Sequence, residues 1–386
     1  MGSSAMMLSP SSWPYKERRR KLQDVVNADE SSLIVITGKG NITYLTGIRE
    51  PSGLLVISDK CGDTIISSIL DYHRLQQLAP PELDVVALGR KGEEGIKTNI
   101  VPKLFSGETS SYIKSLVETC NIKQIYSDIS IQTIESHNRI FKNINIKTDD
   151  ITKHIYKIRS IKDSWELERI AEAVNIAEEA LRRAINSLDD KSSEASIAGI
   201  IHLTMLERGA WSEAFPSIVA FHENTAFPHH TPTLRQLGEG GPVLIDLGAV
   251  YQGYHSDMTR TFWRGQPSTD FKRNLEAVIE AQNAALDVIE PGIEASQADR
   301  AARAVLEKMG LSHYFIHGLG HGVGVEIHEP PFLRPGSKEV LNEGMVVTIE
   351  PGIYMPGLYG IRVEDMIVVT QRGSRILTKF SRIIDI

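Results

Sequence analysis

Apolar positions in the first 150 residues fall in short runs rich in β-branched side chains, at 32–37 (SLIVIT), 53–58 (GLLVIS), 64–67 (TIIS), 85–88 and 124–126. Turn-rich or helix-like segments separate these runs, which predicts an α/β domain. Residues 17–24 (ERRRKLQD) carry the pattern of an amphipathic helix, and their basic run, Arg18 to Lys21, reads as a solvated face. Between about 151 and 162 the pattern turns polar, and a period-3.6 run then extends to Ser187. Ser164, with Glu166 and Glu168 in the first turn, suits a capped helix start. We expect a domain boundary there, giving domains 1–158 and 159–386. Helices then alternate with hairpin-like strands, without the fixed repeat that would make a solenoid.

Length supports this division, since 386 residues exceed one small domain. With 41% hydrophobic and 24% charged residues the chain reads as soluble, globular and of mixed α/β (α+β) class. Its net charge of −7 provides no basic field for a nucleic-acid backbone. No run approaches the ~18–20 apolar residues of a membrane span, so neither nucleic acid nor membrane is an expected partner. The first seven residues lack the basic-then-apolar order of a signal peptide. Cys61 and Cys120 are the two cysteines; they read as buried apolar fillers in a reducing compartment, and the expected location is cytoplasmic.

Candidate chemistry is concentrated in the second domain. Residues 243–248 (VLIDLG) form an apolar run interrupted by Asp246, and 254–262 (YHSDMTRTF) reads as its return strand after a turn at Gln252-Gly253. In that register Asp246 pairs with Thr259, and Asp257 projects from the same face at a diagonal spacing of roughly 7–8 Å. A single buried Asp is ordinarily a satisfied structural carboxylate. Here Glu350 closes another apolar run (MVVTIE), and Glu364 lies in IRVED. Four carboxylates in one pocket would repel and take up protons, whereas two divalent cations would balance them. Oxygen ligands with one imidazole suit manganese, cobalt, zinc or iron. The imidazole candidate is His321 in HGLGHGVG, with His317 before it and His328 after it, and its flanking glycines permit close approach to a cluster.

These residues resemble the pita-bread metallopeptidases, the family of creatinase, methionine aminopeptidase, aminopeptidase P and prolidase. Asp246, Asp257, His321, Glu350 and Glu364 match the ordered ligand set in the settings IDLG, HSDMTRTF, GLGHGVG, TIEPGIY and RVED. Arg19 to Leu22 with 41–47 (NITYLTG) resembles the N-terminal domain of the proline-directed members. The resemblance implies a creatinase-like N-terminal domain that limits access, a pita-bread catalytic domain, a homodimer, and two divalent ions, with manganese the leading candidate. It further implies that Asp246 chelates one ion, that His321 and Glu350 hold the other, and that Asp257 and Glu364 bridge them. His229, in AFPHH, and His328, in IHEPP, match histidines that contact the substrate and the reacting group. His317 and Arg362 fit substrate-orienting or supporting roles; His222, His230 and His255 read as exposed or structurally bonded.

The implied reaction is hydrolysis of Xaa-Pro peptides, with a water acidified between two cations and Glu350 relaying its proton. Dipeptidase members often carry Arg four residues after the position of His328, where this chain has Phe332, and Arg334 is a possible substitute. Action on longer peptides therefore stays open. So do a metal hydrolase of another small amide and a non-catalytic binding protein on the same fold.

Overall fold

The computed structural model describes residues 14–89 and 104–385; the first seven residues, read above for targeting order, lie outside these. The chain divides into two compact units, 1–158 and 159–386. In the first unit the β-branched runs pair into a seven-stranded sheet in the order Leu104–Ser106, Asp84–Gly89, Thr64–Ser68, Leu54–Ile57, Ser32–Ile36, Gln124–Ser127 and Thr148–Asp150. Pairing is antiparallel around Leu54–Ile57 and parallel toward both edges. Ser32–Ile36 is buried along its whole length, which suits the unbroken apolar run from Leu33 to Ile36. Leu33, Val35, Val56, Ile66 and Ile125 meet Ile113 and Ile140 from helices in one cluster. The two edge strands, LFS and TDD, lack an apolar run and left no periodic signal.

Two expectations for this unit are corrected. Arg18 and Arg19, read as part of a solvated face, are buried. Arg19 pairs with Asp63 at 2.6 Å and Glu82 at 2.8 Å and donates to the Leu45 carbonyl, while Arg18 donates to the Tyr44 carbonyl with its guanidinium 4.5 Å from that ring's centre. Charge periodicity cannot distinguish a solvated arginine from one whose partners are far along the chain. Cys61 and Cys120 are joined in a disulfide across 59 positions instead of filling space separately, so the cysteine count carries no argument for a reducing compartment.

The second unit opens with the helix Ser164–Asn186, which Asp163, one residue before the expected start, caps in a reciprocal capping box with Glu166. Ile170, Ala173, Val174, Ala177, Ala180, Leu181 and Ala184 form its buried stripe. With Glu194–Glu207 and the strands Ile218–Phe221, Gly241–Leu247 and Met258–Arg264 it closes one apolar cluster. Thr269–Val288, Ala295–Lys308 and the strands Val346–Ile349, Gly352–Met355, Tyr359–Arg362 and Asp365–Val369 close a second. Among the described residues, no helix is long and apolar enough to cross a membrane.

Candidate metal centre

Gly241–Leu247 pairs with Met258–Arg264 in the register Asp246↔Thr259. The same register continues through Tyr251↔Tyr254 around Gln252 and Gly253, both at positive φ, as a two-residue hairpin turn requires. Asp257 thereby stands diagonal to Asp246. Only Asp246 of the four carboxylates lies within a strand, however. Asp257 sits between Tyr254–His255 and Met258–Arg264, Glu350 between Val346–Ile349 and Gly352–Met355, and Glu364 between Tyr359–Arg362 and Asp365–Val369. Each interruption stays tied to a neighbour: the Glu350 N–H donates to the Leu319 carbonyl and the Glu364 N–H to the Thr259 carbonyl. Breaking the period-2 alternation there frees these side chains from strict up-and-down projection.

One cavity of about 660 Å³ is lined by Asp246, Asp257, His321, Glu350 and Glu364, together with His229, His317, His328 and Arg362. Ligand atoms of Asp257, His321 and Glu364 lie within 4.8 Å of one another. His321 Nε2 is 3.5 Å from Asp257 Oδ2 and 3.4 Å from Glu350 Oε1. Burial, then the neighbouring histidine His328, holds the His321 imidazole down at about 4, so at neutral pH it carries one proton. Nδ1 lies 3.1 Å from the Gly322 carbonyl, which can only accept, so the proton sits on Nδ1 and the Nε2 lone pair faces two carboxylates. Burial, then crowding by other carboxylates, pushes Asp257 and Glu364 well above the usual range, and burial raises Glu350 to about 8. Asp246 Oδ1 is buried without a hydrogen-bond partner. An imidazole lone pair facing carboxyls that can shed their mutual repulsion only by taking up protons, with an orphaned carboxylate oxygen beside them, is what cations would relieve, so the donor set fits divalent metal.

Hydroxyl groups to which the sequence reading gave no role orient these candidate ligands. Thr259 Oγ1 donates to Glu364 Oε2 at 2.7 Å, and Thr348 Oγ1 donates to Glu350 Oε1 at 3.1 Å while accepting from the His321 N–H. Thr259 lies two residues after Asp257 and Thr348 two residues before Glu350, each in the strand that adjoins the carboxylate, so a polar residue at i±2 was the available signal. Arg362 spends its donors on Asp246 Oδ2 at 2.6 Å, on the Tyr354 hydroxyl at 2.7 Å and on Thr259 Oγ1 at 3.0 Å. It therefore steadies a ligand carboxylate. Tyr354, also unanticipated, lies 3.0 Å from His317 Nε2, and His317 Nδ1 lies 2.7 Å from the Gly318 carbonyl. Burial keeps the His317 imidazole neutral, at about 4, which orders the chain Arg362 to Tyr354 to His317 to Gly318.

His229 reaches the cavity with no hydrogen bond to its ring among the described residues, and His328 packs edge-on against His321 with ring centres 4.3 Å apart. His222, His230 and His255 are each bonded, to the Leu237 carbonyl, Glu194 and the Gly324 carbonyl. Phe332 stands opposite His321 in the sheet, and Arg334, 5.4 Å from its ring centre, lines the same cavity.

Comparison with known proteins finds similar chains over nearly the whole length. A sequence model of metallopeptidase family M24 matches residues 168–371. The chain is 34% identical to an Xaa-Pro dipeptidase of Pyrococcus furiosus, covering 95% of this chain and 99% of that one. Among solved structures it resembles an Xaa-Pro dipeptidase from Bacillus anthracis, at a TM-score of 0.84 and 28% identity over 96% of this chain and 100% of that one. It also resembles an X-Pro aminopeptidase from Thermotoga maritima, at 0.81 and 27% identity over 94% and 100%.

Proposed function

The chain belongs to metallopeptidase family M24, and on that premise we propose that this metallo-exopeptidase hydrolyses the bond before proline in short Xaa-Pro peptides. The observation that carries the reading is His321 Nε2 held 3.4–3.5 Å from Asp257 and Glu350 in a cavity that also holds Asp246 and Glu364. We assign Asp246 to one divalent ion, His321 and Glu350 to a second, and Asp257 and Glu364 to both, with manganese as the preferred metal. Such ions supply Lewis-acid polarisation of the scissile carbonyl and a water acidic enough to react near neutral pH.

The chain's own groups do the rest. Thr348 occupies one oxygen of Glu350 and leaves the other to take up a proton and return it to the departing proline nitrogen. His328, at the cavity wall, donates to the carbonyl oxygen as its charge grows, and His229 fixes the peptide beside it. Arg362, through Asp246, and the Tyr354–His317 pair keep the floor of the site rigid. The division at 158/159 we read as the boundary of a creatinase-like N-terminal domain, and the working form as a homodimer.

Arg334 favours the dipeptidase form of this activity. It pairs with no carboxylate among the described residues, and it lines the cavity beside Phe332, where a dipeptide's terminal carboxylate would complete it. A longer Xaa-Pro-Xaa substrate is the second reading. Turnover of Xaa-Pro beside Xaa-Pro-Xaa, with metal returned to chelated protein, separates them. We expect the dipeptide to be preferred and Arg334→Ala to raise KM for it selectively. Preference for the tripeptide, unaffected by that substitution, would reassign the chain to aminopeptidase action, and no turnover of either would remove the proline-directed reading.

A further inference from the structure

His229 must hold its place without a hydrogen bond to its own ring among the described residues, so its position depends on the backbone that carries it. That backbone, residues 221–233, is gathered by one side chain. Glu194, the first residue of the helix Glu194–Glu207, is 0% exposed. Its Oε1 accepts from the Phe221 N–H at 2.8 Å and Asn224 Nδ2 at 2.9 Å. Its Oε2 accepts from His230 Nε2 at 2.8 Å, the Thr233 N–H at 2.9 Å and Thr233 Oγ1 at 2.6 Å. Five donors thus converge on one carboxylate, from both ends of the segment and from the residue next to His229. The helix start adds to the clasp, since the N–H groups of Glu194 and Ala195 donate to the carbonyls of Arg235 and Thr233. Between these anchors, Pro228, His229, His230, Thr231 and Pro232 form one wall of the cavity.

We propose that Glu194 is a positioning residue for hydrolysis, holding the 221–233 segment through Thr233, His230 and Asn224 so that His229 meets the peptide in one fixed place. The proposal rests on the reading of His229 as a substrate contact. A carboxylate serves this purpose better than an amide because both of its oxygens only accept, with about four lone-pair sites between them, and the two Thr233 donors can share one on Oε2. Charged acceptors also form the stronger bonds. Burial alone would raise the Glu194 carboxyl, but the bonds from Thr233, His230, Asn224 and the Phe221 N–H outweigh it and hold the group below its ordinary value, so the anionic acceptor persists at working pH.

Glu194→Gln keeps the size and removes part of the acceptor capacity. Amide exchange across 222–233 should quicken several-fold while metal content stays that of the wild type. Turnover of the Xaa-Pro substrate, as kcat/KM, should fall about 10–100-fold, the scale of a misplacement near 1 Å. In a double-mutant cycle Glu194→Gln should add almost nothing to His229→Ala, because both changes disable one contact. If Glu194→Gln fails to fold, Thr233→Val and Asn224→Ala loosen the two ends separately and should show smaller losses with the same non-additivity. Unchanged exchange in 222–233, or losses that multiply with those of His229→Ala, would overturn the positioning role. Full activity in His229→Ala would instead overturn the reading on which it rests.

Discussion

Between Thr259 and Glu364 a hydroxyl hydrogen points at a carboxylate oxygen across 2.7 Å, and the same hydroxyl accepts from Arg362 Nε. This fixes the plane of the Glu364 carboxylate, which we assign to both ions. Thr259→Val keeps the shape and β-propensity of the side chain but removes both bonds. Metal affinity should drop about 10–100-fold, the usual cost of losing a ligand's supporting partner, with little change in secondary structure; a chelator-competition titration measures it. An unchanged affinity would mean that Glu364 is oriented without the hydroxyl. At this scale the sequence singled out candidate ligands and was silent about the groups that bond to them. Carboxylates in apolar runs and a glycine-flanked His stand out because burial makes them expensive. Thr259, Thr348 and Tyr354 are ordinary strand residues whose roles exist only through partners brought in by folding.

Element by element, the centre depends on where strands stop. Asp257, Glu350 and Glu364 occupy breaks between successive strands, and alternation along a sequence registers a strand but not a one- or two-residue break within it. The edge strands Leu104–Ser106 and Thr148–Asp150 escaped for the opposite reason, being short pieces without an apolar side to reveal them. A comparable hidden link ties the strand Glu329–Leu333 to the start of the second unit. Glu329 is paired with Arg159 at 2.6 Å and Lys162 at 2.7 Å, all three buried. Burial alone would raise the Glu329 carboxyl, but Lys162 and Arg159 outweigh it and hold the group below its ordinary 4.5. The folded protein therefore binds this proton less readily than the unfolded chain. The resulting stability is complete above about pH 4.5 and is lost as pH falls through the folded value. In thermal unfolding, Glu329→Gln should lower Tm at neutral pH, by the equivalent of about 3–5 kcal/mol for a broken buried pair, and should flatten the acid limb. An acid limb identical to the wild type would show that other carboxylates govern it.

For the whole molecule, periodicity and composition conveyed the α/β character, while the motifs around Asp246, Asp257, His321, Glu350 and Glu364 and the resemblance they carry pointed to the second half as the catalytic one. The long-range pairings did not show in advance. The Cys61–Cys120 bond and the pairs of Arg19 with Asp63 and Glu82 each join positions 44 or more residues apart, and local pattern holds no record of such partners. In the second unit two apolar clusters, one built on Ser164–Asn186 and Glu194–Glu207 and one on Thr269–Val288 and Ala295–Lys308, supply the rigid elements from which ligands converge. Asp246 comes from a strand of the first cluster, and Glu350 and Glu364 come from the strand ends of the second. Folding thus assembles a concentration of negative charge that protons alone would otherwise have to relieve. The most direct test of this account is the metal content of protein stripped by chelator, reloaded with manganese and desalted. Two ions per chain, with at least one lost in Asp257→Ala, is the predicted result; wild-type protein that retains no ion, or Asp257→Ala protein that still holds both, would contradict it.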